Sequence, residues 1–142
     1  MDFETYWRNL IHRVYVEQEE LRGPEERLYR LSCIYGETMV DGVEAYFERR
    51  FDEYDSDIAA LNESGFQHIA ADFAEARNVM FGESPLMKDL IDPVVCSLLN
   101  EDKSVANEME KIATIYSRLI DSLPDLLDCR DRIGLENQLF EL

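Results

Sequence analysis

Apolar residues recur along this chain at steps of three and four, with almost no alternation. Phe3, Trp7, Leu10, Val14 and Leu21 mark a first helix, and Ile11 and Val16 broaden its stripe. Asp2 is its predicted N-cap and Gly23-Pro24 its stop. Pro24 then suits the first turn of a second helix, where Glu25 and Glu26 lie favourably near the positive end. Leu28, Leu31 and Tyr35 give the buried face of that helix, and Gly36 is its expected end.

A third helix is expected to open near Thr38 or Asp41, because Asp41 and Glu44 have capping-box spacing. Val40, Val43, Phe47, Phe51, Tyr54 and Ile58 step by three, four, four, three and four, which predicts one strongly amphipathic segment. Asp55-Ser56-Asp57 is the expected interruption, capping a short helix over 57–63. Beyond Gly65, the residues Ile69, Phe73, Ala76 and Met80 mark a helix ending at Gly82. Ser84-Pro85 opens the next piece, which Pro93 is expected to divide, with Val94, Val95, Leu98 and Leu99 buried. Val105, Met109, Ile112, Tyr116 and Leu119 define a long helix closed by Pro124. A last helix carries Leu126, Leu127 and Ile133, with Leu139 and Phe140 as candidates at its end. No strand-like alternation, internal repeat or low-complexity linker interrupts this pattern. The expectation is a single compact all-α domain over residues 1–142, built from about six to eight helices.

Charge changes the picture most. The 142 residues carry 31 acids against 14 bases, a net charge of −17 and a pI near 4.3. Residues 37–63 hold nine of the acids and only two bases, Arg49 and Arg50, so they are the most negative stretch by density. Within them Glu37, Asp41, Glu44, Glu48, Asp52 and Asp55 step by four, three, four, four and three. On one continuous helix that spacing places six carboxylates on one face. Like charges at helical spacing cost about 0.2–0.5 kcal/mol per pair. At 1.5 Å per residue the row would span about 27 Å, or about one charge per 5 Å. One DNA strand carries a phosphate about every 3.4 Å, so the row is sparser but of the same order.

With 46 % hydrophobic and 11 % aromatic residues, this acidity does not imply disorder. It implies a folded, self-repelling protein that avoids nucleic acid and anionic membranes and attracts basic partners. Cys33, Cys96 and Cys129 are odd in number, widely spaced and set among apolar neighbours, so they are expected to be buried free thiols in a reducing cytoplasm. The N-terminus Met1-Asp2-Phe3-Glu4 is acidic and has no apolar signal-peptide core, and no apolar run reaches membrane-spanning length. Cytoplasmic location is the resulting expectation.

Chemistry-bearing motifs are absent. His12 and His68 stand alone, and no zinc, di-iron, phosphate-loop or nucleophile-elbow signature is present. Glu53-Tyr54-Asp55-Ser56-Asp57 opens like a calcium loop. Ile58 then stands where a Gly is needed, and Ser64 where the bidentate Glu is needed. The expectation is a non-enzyme with no catalytic residue, cofactor or metal.

Three short motifs carry a family resemblance over about residues 35–81. The first is Glu37-Thr38-Met39-Val40-Asp41-Gly42-Val43-Glu44-Ala45-Tyr46-Phe47. The second is Ala60-Leu61-Asn62-Glu63-Ser64-Gly65-Phe66 and the third Glu75-Ala76-Arg77-Asn78-Val79-Met80-Phe81. Gly42, Tyr46, Phe47, Leu61, Gly65, Ala76 and Phe81 match the pattern, and Val40, Asp41 and Ala45 depart from it. The chain thereby resembles the bacterial DNA-mimic protein family of small acidic helical domains, mostly without assigned activity. The resemblance implies a helical fold and, for its best-understood member, occupation of the DNA-binding face of a transcription factor.

Three functional readings follow. In the first, the row of Glu37, Asp41, Glu44, Glu48, Asp52 and Asp55 imitates nucleic acid for a basic DNA-binding protein. In the second, the same charge serves an immunity or antitoxin-type inhibitor of a basic nuclease or toxin, with Tyr46 and Tyr54 either as aromatic anchors or, the more ordinary role, as semi-buried packing residues. In the third, the charge is solvation only and the domain self-associates, with Leu135, Leu139, Phe140 and Leu142 either capping the core or forming a homodimer patch.

Overall fold

Asp2 caps helix α1 (Phe3–Tyr15) as its sequence predicts, its carboxylate accepting the Thr5 N–H at 2.8 Å in this computed structural model of residues 1–142. The helix stops at Tyr15, well short of Gly23, so Leu21 lies in the irregular connection over 16–22. Helix α2 (Gly23–Arg50) has Pro24 in its first turn and runs straight through Gly36, which keeps helical geometry. The real break comes six residues later. Gly42 adopts φ 91° and ψ 176°, a conformation open essentially to glycine alone. It divides α2 into stretches over 23–41 and 43–50. The Tyr116 hydroxyl donates to the Met39 carbonyl at 2.9 Å beside this break.

A 3-10 turn at Phe51–Glu53 leads into α3 (Tyr54–Glu63), and α4 (Gln67–Phe81) follows between Gly65 and Gly82. Helix α5 (Lys88–Leu99) contains Pro93 without being divided by it. Pro93 forfeits one bond to the Asp89 carbonyl, and both residues are exposed, so water can satisfy that oxygen. A second 3-10 turn, Lys103–Val105, precedes α6 (Ala106–Ser122), and α7 (Pro124–Glu136) follows directly. No strand forms. The termini meet in one isolated bridge between Asp2 and Glu141, where the Glu141 N–H donates to the Met1 carbonyl at 2.8 Å.

Helix α2 is the central element, packing on α3, α5, α6 and α7, while α4 packs on α6. All seven α-helices contribute to one apolar cluster, which contains Leu28, Ile34, Phe47, Phe73, Ile91, Ile115 and Leu126. The result is a compact all-α domain. Phe140 closes the cluster from beyond α7 rather than from within it. Its ring lies where a Cβ on Gly134 would approach to 2.1 Å, and it meets the Phe3 ring edge-on at 5.1 Å.

Several apolar expectations fail, each for a local reason. Val16 is exposed because α1 stops at Tyr15, before the stripe reaches it. Val40 is 77 % exposed because the Gly42 break takes it out of register with Val43 and Phe47. Ile58 is only half-buried and Asp57 fully buried, since the 3-10 turn winds about 120° per residue instead of 100° and rotates the stripe. Leu99, the last residue of α5, stays exposed. Of the thiols only Cys129 is buried; Cys33 is half-buried and Cys96 exposed, and all three are free.

Helix α1 is tied to α2 through one carboxylate. Glu25 accepts Arg13 Nη1 and Nη2 at 2.9 and 2.7 Å and the Tyr6 hydroxyl at 2.5 Å. Those partners, Arg13 foremost, hold the Glu25 carboxyl below its ordinary value of 4.5.

Replacing Gly42 with Ala is expected to cost about 1–3 kcal/mol, whereas Gly36→Ala, at an exposed helical site with no atom near a new Cβ, should gain about 0.5–1 kcal/mol. Urea denaturation of the two variants tests this, and equal midpoints would contradict it. Because Glu25 has a depressed folded-state pKa, its contribution is full above about pH 5 and is lost as the pH falls. The stability gap between the native chain and Glu25→Gln should therefore shrink between about pH 6 and about pH 3.

Candidate functional site

The six carboxylates of the predicted row do not share one continuous helix. Glu37 and Asp41 lie before the Gly42 break, Glu44 and Glu48 after it, Asp52 in the 3-10 turn and Asp55 in α3. Two of the six also share one cation. Arg49 Nη1 donates to Glu37 at 2.6 Å and to Asp41 at 2.8 Å, folding back across the break. These bonds raise the Arg49 guanidinium above its ordinary value, Glu37 being the larger cause. The row is thus corrected: Glu37 and Asp41 form an exposed ion-pair cluster, and Glu44, Glu48, Asp52 and Asp55 carry no ion-pair partner.

The free part of the row gains neighbours that are distant in sequence. A shallow depression beside Phe51 is lined by Asp52, Asp55 and Glu83. A second, also lined by Phe51, holds Glu48 and Asp92. Five exposed carboxylates from α2, the 3-10 turn, α3, the 82–87 connection and α5 therefore surround one half-buried aromatic ring. Three cations accompany them: Arg49 lines the second depression beside Glu48, with its guanidinium bonded to Glu37 and Asp41. Arg77 lies over the Tyr54 ring at 5.0 Å, and Lys88 is exposed at the edge of the second depression.

Beneath this surface lies a polar cluster that the apolar pattern does not reveal. Asp57 is fully buried. Its Oδ2 accepts Arg50 Nε and the Tyr46 hydroxyl, both at 2.8 Å. Its Oδ1 accepts Arg50 Nη2 at 2.8 Å and Arg30 Nη1 at 3.1 Å. Every lone-pair site of the carboxylate is thereby used. Arg30 reaches outward from there to Glu53 at 2.8 Å and Glu26 at 3.0 Å. Burial alone would weaken both guanidinium charges, but these carboxylates outweigh it and hold Arg30 and Arg50 above their ordinary values. Burial, reinforced by the Asp57 charge, pushes the Tyr46 phenol well up, so it remains a donor. Tyr46 and Tyr54 are buried at 1 % and 6 % exposure, which removes both as interface anchors.

The cluster is saturated by its own members and leaves no side chain poised for proton transfer or nucleophilic attack. No group of three or more His, Cys, Asp or Glu is placed to hold a metal ion. No helix is long and apolar enough to cross a membrane. What the outer surface can do is concentrate negative potential over several segments at once. Asp57 itself gave one sequence signal. It stands three residues after Tyr54 and four before Leu61, on the buried side of α3, where a carboxylate needs a buried cation.

Comparison with models of known families, with curated proteins and with solved structures yields no match.

Removing the Asp57 carboxylate in Asp57→Ala strands Arg50 in the interior and is expected to cost about 3–5 kcal/mol. Arg49→Ala, which removes only exposed pairs, should cost less than about 1 kcal/mol. Denaturant titration of both variants separates structural from surface ion pairs, and similar losses would contradict that division.

Proposed function

We propose that this protein is an acidic interaction domain that occupies the nucleic-acid-binding face of a basic protein, such as a transcription regulator. The observation that carries this reading is the set of unpaired, exposed carboxylates Glu48, Asp52, Asp55, Glu83 and Asp92 around Phe51. They stand on a chain of net charge −17. Each is free to accept charge-assisted hydrogen bonds from Lys or Arg that otherwise contact phosphates. Their origin in several chain segments spreads the charge in two dimensions, as two phosphate strands do, instead of along one line. The resemblance of residues 35–81 to the DNA-mimic family supports the same reading. Glu37 and Asp41, held by Arg49, belong to the margin of this surface.

Affinity isolation from a lysate of the source cells at low salt, with elution by a salt gradient, tests the proposal. A basic DNA-binding protein released at moderate salt, and competed off by its own DNA, is the expected result. A basic nuclease or toxin whose activity is blocked would replace this reading with inhibition. Retention of no basic protein would overturn both. With the captured partner, Glu48→Lys combined with Asp52→Lys should lower affinity at least tenfold and reduce its salt dependence. Arg49→Ala, which releases Glu37 and Asp41, should raise it.

A further inference from the structure

The break at Gly42 opens a second feature, separate from the depressions around Phe51. A groove of about 390 Å³ runs between the α2 break, α5 and α6. Leu98, Met109, Ile112 and Tyr116 line it, and Val40 stands at its side with 77 % of its surface exposed. Asp41 and Glu44 are the only charged residues that line it, and both are acidic. Asp41 already accepts Arg49, whereas Glu44 carries no ion-pair partner.

Val40 packs little on the core, so it stands beside the groove, where Met109 and Tyr116 are half-buried, with its apolar surface available to a partner. The groove holds a few side chains, not a domain, and its walls are two helices and a helix break. An apolar floor with carboxylates on one rim complements a segment with Leu-type residues on one side and Lys or Arg beside them. Lys and Arg would lay their aliphatic stems on the floor and extend their charges to Glu44 and onward to Glu48. A neutral amphipathic segment would leave Glu44 without gain, and an acidic one would be repelled by the net charge of −17.

We propose that this groove docks a cationic amphipathic segment of a partner protein, apolar face inward, with its basic residues on Glu44 and Glu48. The inference rests on the acidic-surface reading for the sign of the partner's charge. It adds that affinity has an apolar component at a defined place. Docking there would leave Asp52, Asp55, Glu83 and Asp92 around Phe51 free for further basic groups of the same partner.

The test uses two synthetic helical peptides of equal length and charge, one with Leu and Lys at helical spacing and one with each Leu replaced by Ser. Binding of the labelled peptides is followed by fluorescence anisotropy at about 150 mM salt, where screening reaches about 8 Å. The Leu-containing peptide should bind at least tenfold more tightly than its Ser counterpart. Val40→Asp and Ala113→Lys, both at exposed positions along the groove, should each weaken it tenfold or more while leaving the circular dichroism melt unchanged. Equal binding of the two peptides, or changes under threefold in both variants, would overturn the groove. If those variants are silent but Glu48→Lys with Asp52→Lys abolishes binding, the groove fails and the acidic surface stands. If no variant changes binding and added salt does not weaken it, both readings fail.

Discussion

Everything around the centre of this domain depends on one buried carboxylate. Asp57 anchors α3 to α2 twice, through Arg30 in the stretch before the Gly42 break and through Arg50 at the end of the stretch after it. A break with glycine-only geometry would otherwise leave the two stretches free to change their angle. Pairing both with a single acceptor fixes that angle, and Tyr46 adds a third bond from within the second stretch. The cluster requires the burial of charge, which is costly unless each lone pair and donor is used. Arg30 meets the requirement by continuing outward to Glu26 and Glu53, so the network reaches solvent at its edge.

That anchoring shapes the outer surface as well. Because Arg50 is committed to the interior and Arg49 to Glu37 and Asp41, neither cation of the 37–63 stretch is left to neutralise Glu48, Asp52 or Asp55. The local negative density therefore results from where two adjacent arginines point, and composition alone understates it. The 3-10 turn that rotates Asp57 inward also carries Asp52 outward. Structural charge and surface charge are allocated by the same short stretch of backbone.

Much of the fold was legible from periodicity. The α1 cap at Asp2, the α4 stripe of Ile69, Phe73, Ala76 and Met80, and the long α6 follow directly from spacing and capping chemistry. What escaped was decided by register. Gly36 and Gly42 are both glycines in a helical pattern; the Asp41–Glu44 capping-box spacing pointed to a restart beside Gly42, but nothing local kept Gly36 helical. The difference lies in tertiary packing, where Tyr116 reaches the Met39 carbonyl beside Gly42. Pro93 reads as a divider, yet the exposed Asp89 carbonyl can turn to water. The candidate row was half legible: its residues are acidic and mostly exposed, but its continuity assumed an unbroken helix, and the contribution of Glu83 and Asp92 depends on contacts made only by folding.

The two surface features ask different things of a partner. Carboxylates around Phe51 reward charge density and lose strength as salt rises, because exposed charges are screened beyond about a Debye length. The groove beside Gly42 rewards shape and apolar area, which salt does not weaken. A partner using both would associate quickly through the long-range field and dissociate slowly through the groove. Nucleic acid imitation by charge alone gives fast exchange and little discrimination among basic proteins. In the docking proposed, an apolar contact placed one turn from the acidic row would supply the discrimination that phosphate-like charge lacks, since it would exclude basic surfaces with no apolar residue in the matching position. On this argument the kink at Gly42 is more than a bend between two helix stretches: it is what brings Val40 out of the core and next to Glu44.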